Sequence, residues 1–143
     1  MIDHRTAPYA ALGLRVSLGT LSLAHAGLKL FVFTPAGTAG FFESLGLPGF
    51  LGVAAIGVEA VAGIALILGV GVRAAALATL PILLGSILFV HGANGWLFSA
   101  EGGGWEFPAF WAAALVVQAL LGEGAYALRL RRGEHRDALF AAE

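Results

Sequence analysis

Five ionisable side chains stand where such groups are expensive. His25, Lys29, Glu59, His91 and Glu106 lie inside or at the ends of long apolar stretches. A charge at the centre of a bilayer costs about 2.5–3.5 kcal/mol on insertion scales, so each is a site hypothesis by default. Imidazole and a desolvated carboxylate both titrate near neutral pH, which suits proton exchange. Glu59 and His91 are the candidate proton exchangers. Lys29 offers positive charge, His25 a further hydrogen-bonding ring, and Glu106 a carboxylate to orient Lys29 or His91. Trp96 and Trp105 are placed to wall the opening. This set suits a quinone headgroup or a small anion. It also suits a purely structural role, as ion pairs that set helix register. Axial haem ligation by His25 and His91 is the weaker alternative, because Lys29 and two carboxylates crowd the same place. No metal-ligand motif occurs, and the run Gly102-Gly103-Gly104 lacks the strand and Lys-Ser/Thr of a phosphate loop.

A second charged pair belongs to the other end. Arg15, Ser22, His25 and Lys29 share one helical stripe, which should turn toward partner helices and away from lipid. Arg15 and Glu123 match in depth and opposite sign, so a structural ion pair is expected between them. Breaking such a pair usually costs about 3–5 kcal/mol.

The elements that must position these groups follow from hydropathy. Of 143 residues, 59% are hydrophobic and 12% charged, and the mean hydropathy is +0.87. A soluble domain carries roughly 25% charged residues, so water is excluded as the main solvent. With one lysine and a net charge of −1, no basic face exists for nucleic acid. Cysteine is absent, which excludes disulfides and thiol chemistry. Crossing a bilayer takes about 20 apolar residues. Four stretches qualify, at about 9–33, 50–70, 72–91 and 105–128, with a tail over 129–143. The expected fold is all-α, an integral membrane four-helix bundle in one domain. Pro81 predicts a kink in the third span. Gly52, Glu59 and Gly63 on span two, and Ala109 and Ala113 on span four, are expected at close helix contacts.

Lys and Arg set the orientation. Arg5, Arg73, Arg129, Arg131, Arg132 and Arg136 fall on one side, and Glu43 and Glu101 on the other. The chain therefore reads N-in, C-in, with both termini cytoplasmic and Arg73 snorkelling to the inner headgroups. Residues 1–26 imitate a secretory signal, but Arg15 interrupts the apolar core and the apolar run continues to Phe33. An uncleaved first helix is expected. The segment Phe41–Pro48, with Glu43, reads as an interface anchor more readily than as a lid.

Several segments together resemble a known family. They are L-R-V-S-L-G-T-L-S-L-A-H-A-G-L-K-L in span one, F-F-E-S-L-G-L-P in the first loop, and G-V-E-A-V-A-G-I-A-L-I-L-G-V-G-V-R in span two. V-H-G-A-N-G-W, G-G-W-E-F-P and G-E-G-A-Y-A-L follow. In order and spacing, over about residues 12–128, the chain is similar to the DoxX family of small four-helix bacterial membrane proteins. The resemblance carries the family's polar positions onto Arg15, Lys29, Glu59, Arg73, His91 and Glu106. The end of span four departs from the usual G-x-G-x-x-S-L-D. The resemblance implies a place in the bacterial inner membrane. It also implies association with oxidoreductase or oxidative-stress complexes, including the membrane part of a thiosulfate:quinone oxidoreductase. Two other roles compete with a quinone-linked subunit. One is a non-enzymatic anchor or assembly subunit. The other is a small-solute or proton carrier, for which a homo-oligomer is expected.

Overall fold

The computed structural model describes residues 3–128, and the expected tail over 129–143 lies outside them. The described residues are all-α, with five α-helices and no strand. They are α1 (Ala7–Gly27), α2 (Thr34–Ser44), α3 (Gly49–Leu68), α4 (Val72–Ser86) and α5 (Glu106–Leu121). Each boundary has a local cause. Pro8 and Pro35 stand in the first turns of α1 and α2, and Pro48 precedes α3. Gly69 ends α3 at φ 75° and Gly71 opens α4 at φ 56°, so a three-residue turn reverses the chain.

Two helices end in π turns rather than stopping cleanly. Leu28–Val32 extends α1, and Ile87–His91 extends α4. A π turn is a one-residue insertion that re-aims side chains, and it recurs at functional sites. Beyond the first π turn the chain bends by 99° into α2. Thr34 takes the left-handed φ of 64° at this corner, and its Oγ1 accepts the Gly37 N–H at 3.2 Å. The expected first span, 9–33, is therefore α1 with its π turn, and the connection after it contains a separate crosswise helix. Helix α4 runs through Pro81 without a break, and its irregular backbone comes later, at the π turn.

Helix α1 packs on α3, α3 on α4, α4 on α5, and α5 back on α1; α2 lies on α3. Close approach of α1 and α3 needs glycine. A Cβ on Gly19 would sit 2.7 Å from the Gly63 carbonyl oxygen, and one on Gly63 would sit 2.9 Å from that of Gly19. Gly52 meets α2 at the Thr38 carbonyl in the same way. The expectation for Ala109 and Ala113 is overturned: α5 turns Trp111, Leu115 and Gln118 inward, and Ala113 is exposed.

The distribution of polarity is that of a molecule in lipid. Arg15, Ser22, Glu59, Thr79 and Gln118 are each at most 2% exposed, while Phe31, Leu88, Phe110 and Leu120 are at least 75% exposed. Helix α3 and the α4 segment Val72–Asn94 are long and apolar enough to cross a membrane. The bent pair α1–α2 passes the same test taken together, as a broken span or a re-entrant segment. Helix α5 is apolar but has 16 residues, shorter than the span expected over 105–128. At 1.5 Å per residue it covers about 24 Å. Residues 122–128 instead fold back as irregular chain. Ala125 donates its N–H to the Pro8 carbonyl, and Leu128 to that of Leu68.

Candidate functional site

At the end of the helices that carries α2, the five packed elements leave a cavity of about 480 Å³. Its charged pair and one of its histidines come from three elements. Lys29 lies in the first π turn, His91 in the second, and Glu59 eleven residues into α3. Lys29 Nζ donates to both carboxylate oxygens of Glu59, at 2.7 and 2.8 Å. This is the only salt bridge among the described residues. Glu59 is 2% exposed and Lys29 18%. An ammonium has three donors. Two are spent on Glu59, and one remains for a ligand.

Lys29 is held from behind. The π turn and the bend at Phe33 cost its carbonyl a helical partner, and Thr38 Oγ1 from α2 donates to that oxygen at 3.3 Å. Thr38 is 3% exposed. Neither the π turn nor Thr38 was legible in the sequence; the Thr34-Pro35 pair was the available sign that the first helix ends there.

His25 and His91 both line the cavity. The His25 ring meets the edge of Trp111 at 4.9 Å and stacks on Phe107 at 6.4 Å. His91 Nδ1 donates to the Gly103 carbonyl at 2.9 Å. In the neutral ring this leaves Nε2 as an acceptor. The same Gly103 carbonyl accepts from Asn94 Nδ2 at 3.1 Å, which also bonds the Val90 and Gly102 carbonyls. The glycine run is thus a packing turn behind His91, with Gly102 and Gly103 at φ 77° and 74°. Trp111 also lines the cavity, and its buried Nε1 has no hydrogen-bond partner among the described residues. Apart from Ser86 the remaining wall is apolar, chiefly Phe41, Phe42, Leu51, Val58, Ile82 and Phe89.

Three expected members lie elsewhere. Glu106 does not reach Lys29 or His91: its Oε1 accepts the Phe98 N–H at 2.7 Å and closes the loop before α5. Trp96 and Trp105 meet edge to face at 4.4 Å. With Glu106 and Phe110 they line a separate surface groove and do not wall the cavity. The physical reason is the loop between α4 and α5, which folds on its own glycines and carries both tryptophans outward.

The expected Arg15–Glu123 ion pair is also replaced. Arg15, 1% exposed, donates from Nη1 to the Leu66 and Ile67 carbonyls at 2.9 and 2.6 Å, and from Nη2 to the Ala125 carbonyl at 2.9 Å. The last carbonyls of a helix lack intrahelical partners. Arg15 supplies them for α3 and ties down the segment after α5. Position by position, the inward stripe of α1 is as expected at Arg15 and Ser22, but the partner of Arg15 is backbone.

A helical, outwardly apolar chain with a charged pair turned into a cavity at one end is a membrane protein. A sequence model of the DoxX family matches residues 10–92, and the chain belongs to that family. The matched stretch contains Arg15, His25, Lys29, Glu59 and His91 and ends before Trp96, Trp105, Glu106 and Glu123. No curated protein and no solved structure matched the chain.

Proposed function

We propose that this protein is a membrane subunit that holds a quinone headgroup in the cavity between the two π turns. The observation that carries this reading is the Lys29–Glu59 pair, with one ammonium donor unspent, set beside two histidines in a room whose wall is otherwise mainly apolar. Ligand sites are typically apolar clefts of about 300–1,000 Å³ with a few placed polar groups. The free N–H of Lys29 polarises a quinone carbonyl. Glu59 and His91, once protonated from water, pass on the two protons that two-electron reduction of a quinone takes up, and take them back when the quinol is oxidised. His25 and Trp111 frame the ring. Electrons come from a partner redox subunit, since the chain has no cysteine to hold an iron–sulfur cluster.

The reading includes a topology. Helices α1, α3, α4 and α5 act as four spans, with the cavity on the non-cytoplasmic side and Arg15 and Arg73 near the cytoplasmic one, in the bacterial inner membrane. Solvent extraction of purified protein followed by mass analysis tests the ligand. Wild-type protein should carry quinone, and Glu59→Gln, which keeps the shape of the side chain, should carry about tenfold less, the equivalent of one charge-assisted hydrogen bond. Wild-type protein purified without quinone from quinone-rich membranes would sink the reading.

A further inference from the structure

The cavity has a side entrance. Its back wall is sealed: Glu59, Trp111 and Leu83 are 2%, 2% and 5% exposed. Its front is open. Phe41, Leu51 and Phe89 are 49%, 38% and 48% exposed, and Ala54, Ala78 and Pro81 are exposed as well. Every one of these rim residues is apolar. They fall on two continuous stripes that face each other. On α3 the lining residues are Leu51, Ala54, Ala55 and Val58; on α4 and its π turn they run from Ala78 through Ile82 and Gly85 to Phe89. The offsets of three, four and seven are those of one helix face. Small residues keep the stripes apart. A Cβ added at Gly85 meets nothing within 4 Å, although Gly85 lines the cavity. The α4 stripe is about 16 Å long, close to half of a hydrocarbon core of about 30 Å.

We infer that the ligand is a membrane-dissolved amphiphile, a quinone with an apolar tail, which reaches the cavity sideways between α3 and α4 and leaves its tail in that cleft. The inference rests on the quinone reading for the headgroup and adds to it the route and the tail. A water-borne anion is disfavoured by the rim: it would have to cross a mouth of apolar side chains, where the α4 lining offers one hydroxyl, Ser86, and no charge. A tailed molecule already in the bilayer exchanges one apolar surrounding for another, at little cost. Its headgroup then trades lipid for Lys29, His25 and His91.

The experiment uses the full chain in lipid nanodiscs, with Trp96→Phe and Trp105→Phe so that Trp111 is the reporter. The probes are decylubiquinone, its tailless benzoquinone headgroup, and a terminally brominated dodecanoate, each a quencher of indole fluorescence. Binding is expressed per mole fraction in the bilayer. Both quinones should quench Trp111. Gly85→Phe and Ala54→Phe, on opposite walls of the cleft, should each weaken decylubiquinone by about tenfold and leave the headgroup within about twofold, as loss of room for the tail alone requires. Gly85→Phe fills open space and replaces a helical glycine, so its melting temperature should not fall. If decylubiquinone binds both variants as well as the parent, the cleft is not its seat; the side route falls and the quinone reading stands. If the brominated acid quenches the parent but not the variants, and neither quinone quenches, the side route stands and the quinone reading falls. If no probe quenches Trp111, both fall.

Discussion

Lys29 and Glu59 show how one pair of residues can be both structural and chemical. A carboxylate 2% exposed is tolerable only because the ammonium reaches both its oxygens. Removing one partner leaves the other buried and unpaired. Lys29→Met should therefore destabilise the protein by about 3–5 kcal/mol, and the double variant Lys29→Met, Glu59→Leu should recover most of that loss. Thermal unfolding in detergent measures both, and quinone content separates fold from function: the double variant should be stable and empty. Arg15 makes the opposite case, a charge whose hydrogen bonds all go to backbone carbonyls. Arg15→Met strands the Ile67 and Ala125 carbonyls, while that of Leu66 keeps the Gly69 N–H, and should cost at least about 3 kcal/mol, given about 1.5–3 kcal/mol for each hydrogen bond to a charged group. Glu123→Gln should stay within about 0.5 kcal/mol of the parent, as a substitution away from any bonded partner does. A large loss at Glu123 would restore the ion pair that charge and depth alone predicted.

At the scale of elements, the site depends on departures from the regular helix. Lys29 and His91 both sit in π turns, and each turn is braced from a neighbouring segment, by Thr38 on one side and by Gly103 on the other. The brace through α2 depends in turn on the packing of α1 and α2 against α3. Gly19 is the tightest point of the α1–α3 contact, where an added Cβ meets the Gly63 carbonyl and Ile67 at 2.7 Å. Gly19→Leu should cost about 1–3 kcal/mol by overpacking, and more if α1 and α3 separate. The same substitution at Gly13, where an added Cβ meets nothing within 4 Å, should leave the melting temperature unchanged or raised. An equal response at the two positions would show that the α1–α3 crossing is elsewhere.

For the whole molecule, the absence of cysteine is an experimental convenience. Single cysteines report topology without background. Ser99→Cys, in the exposed loop before α5, should react with a membrane-impermeant maleimide from outside the cell. Val70→Cys, in the turn between α3 and α4, should react only in inverted vesicles. The reverse pattern would overturn the N-in, C-in orientation, and labelling of both from one side would overturn four spans.

Which parts were legible in the sequence follows from the physics of each. Hydropathy over some 20 residues is a local property, and it was enough for an all-α membrane protein with helices near the right places. The cost of burying charge is also local. It singled out Arg15, His25, Lys29, Glu59 and His91, and the structure brings the last four to one cavity. What charge could not tell was its partner. Arg15 bonds carbonyls because a helix end with unsatisfied acceptors happens to lie beside it, and Glu106 bonds a loop amide because that loop folds on its own glycines. The π turns, the crosswise α2 and the opening between α3 and α4 arise where helices meet. Only the tertiary structure decided them, because each depends on contacts between residues far apart in the chain.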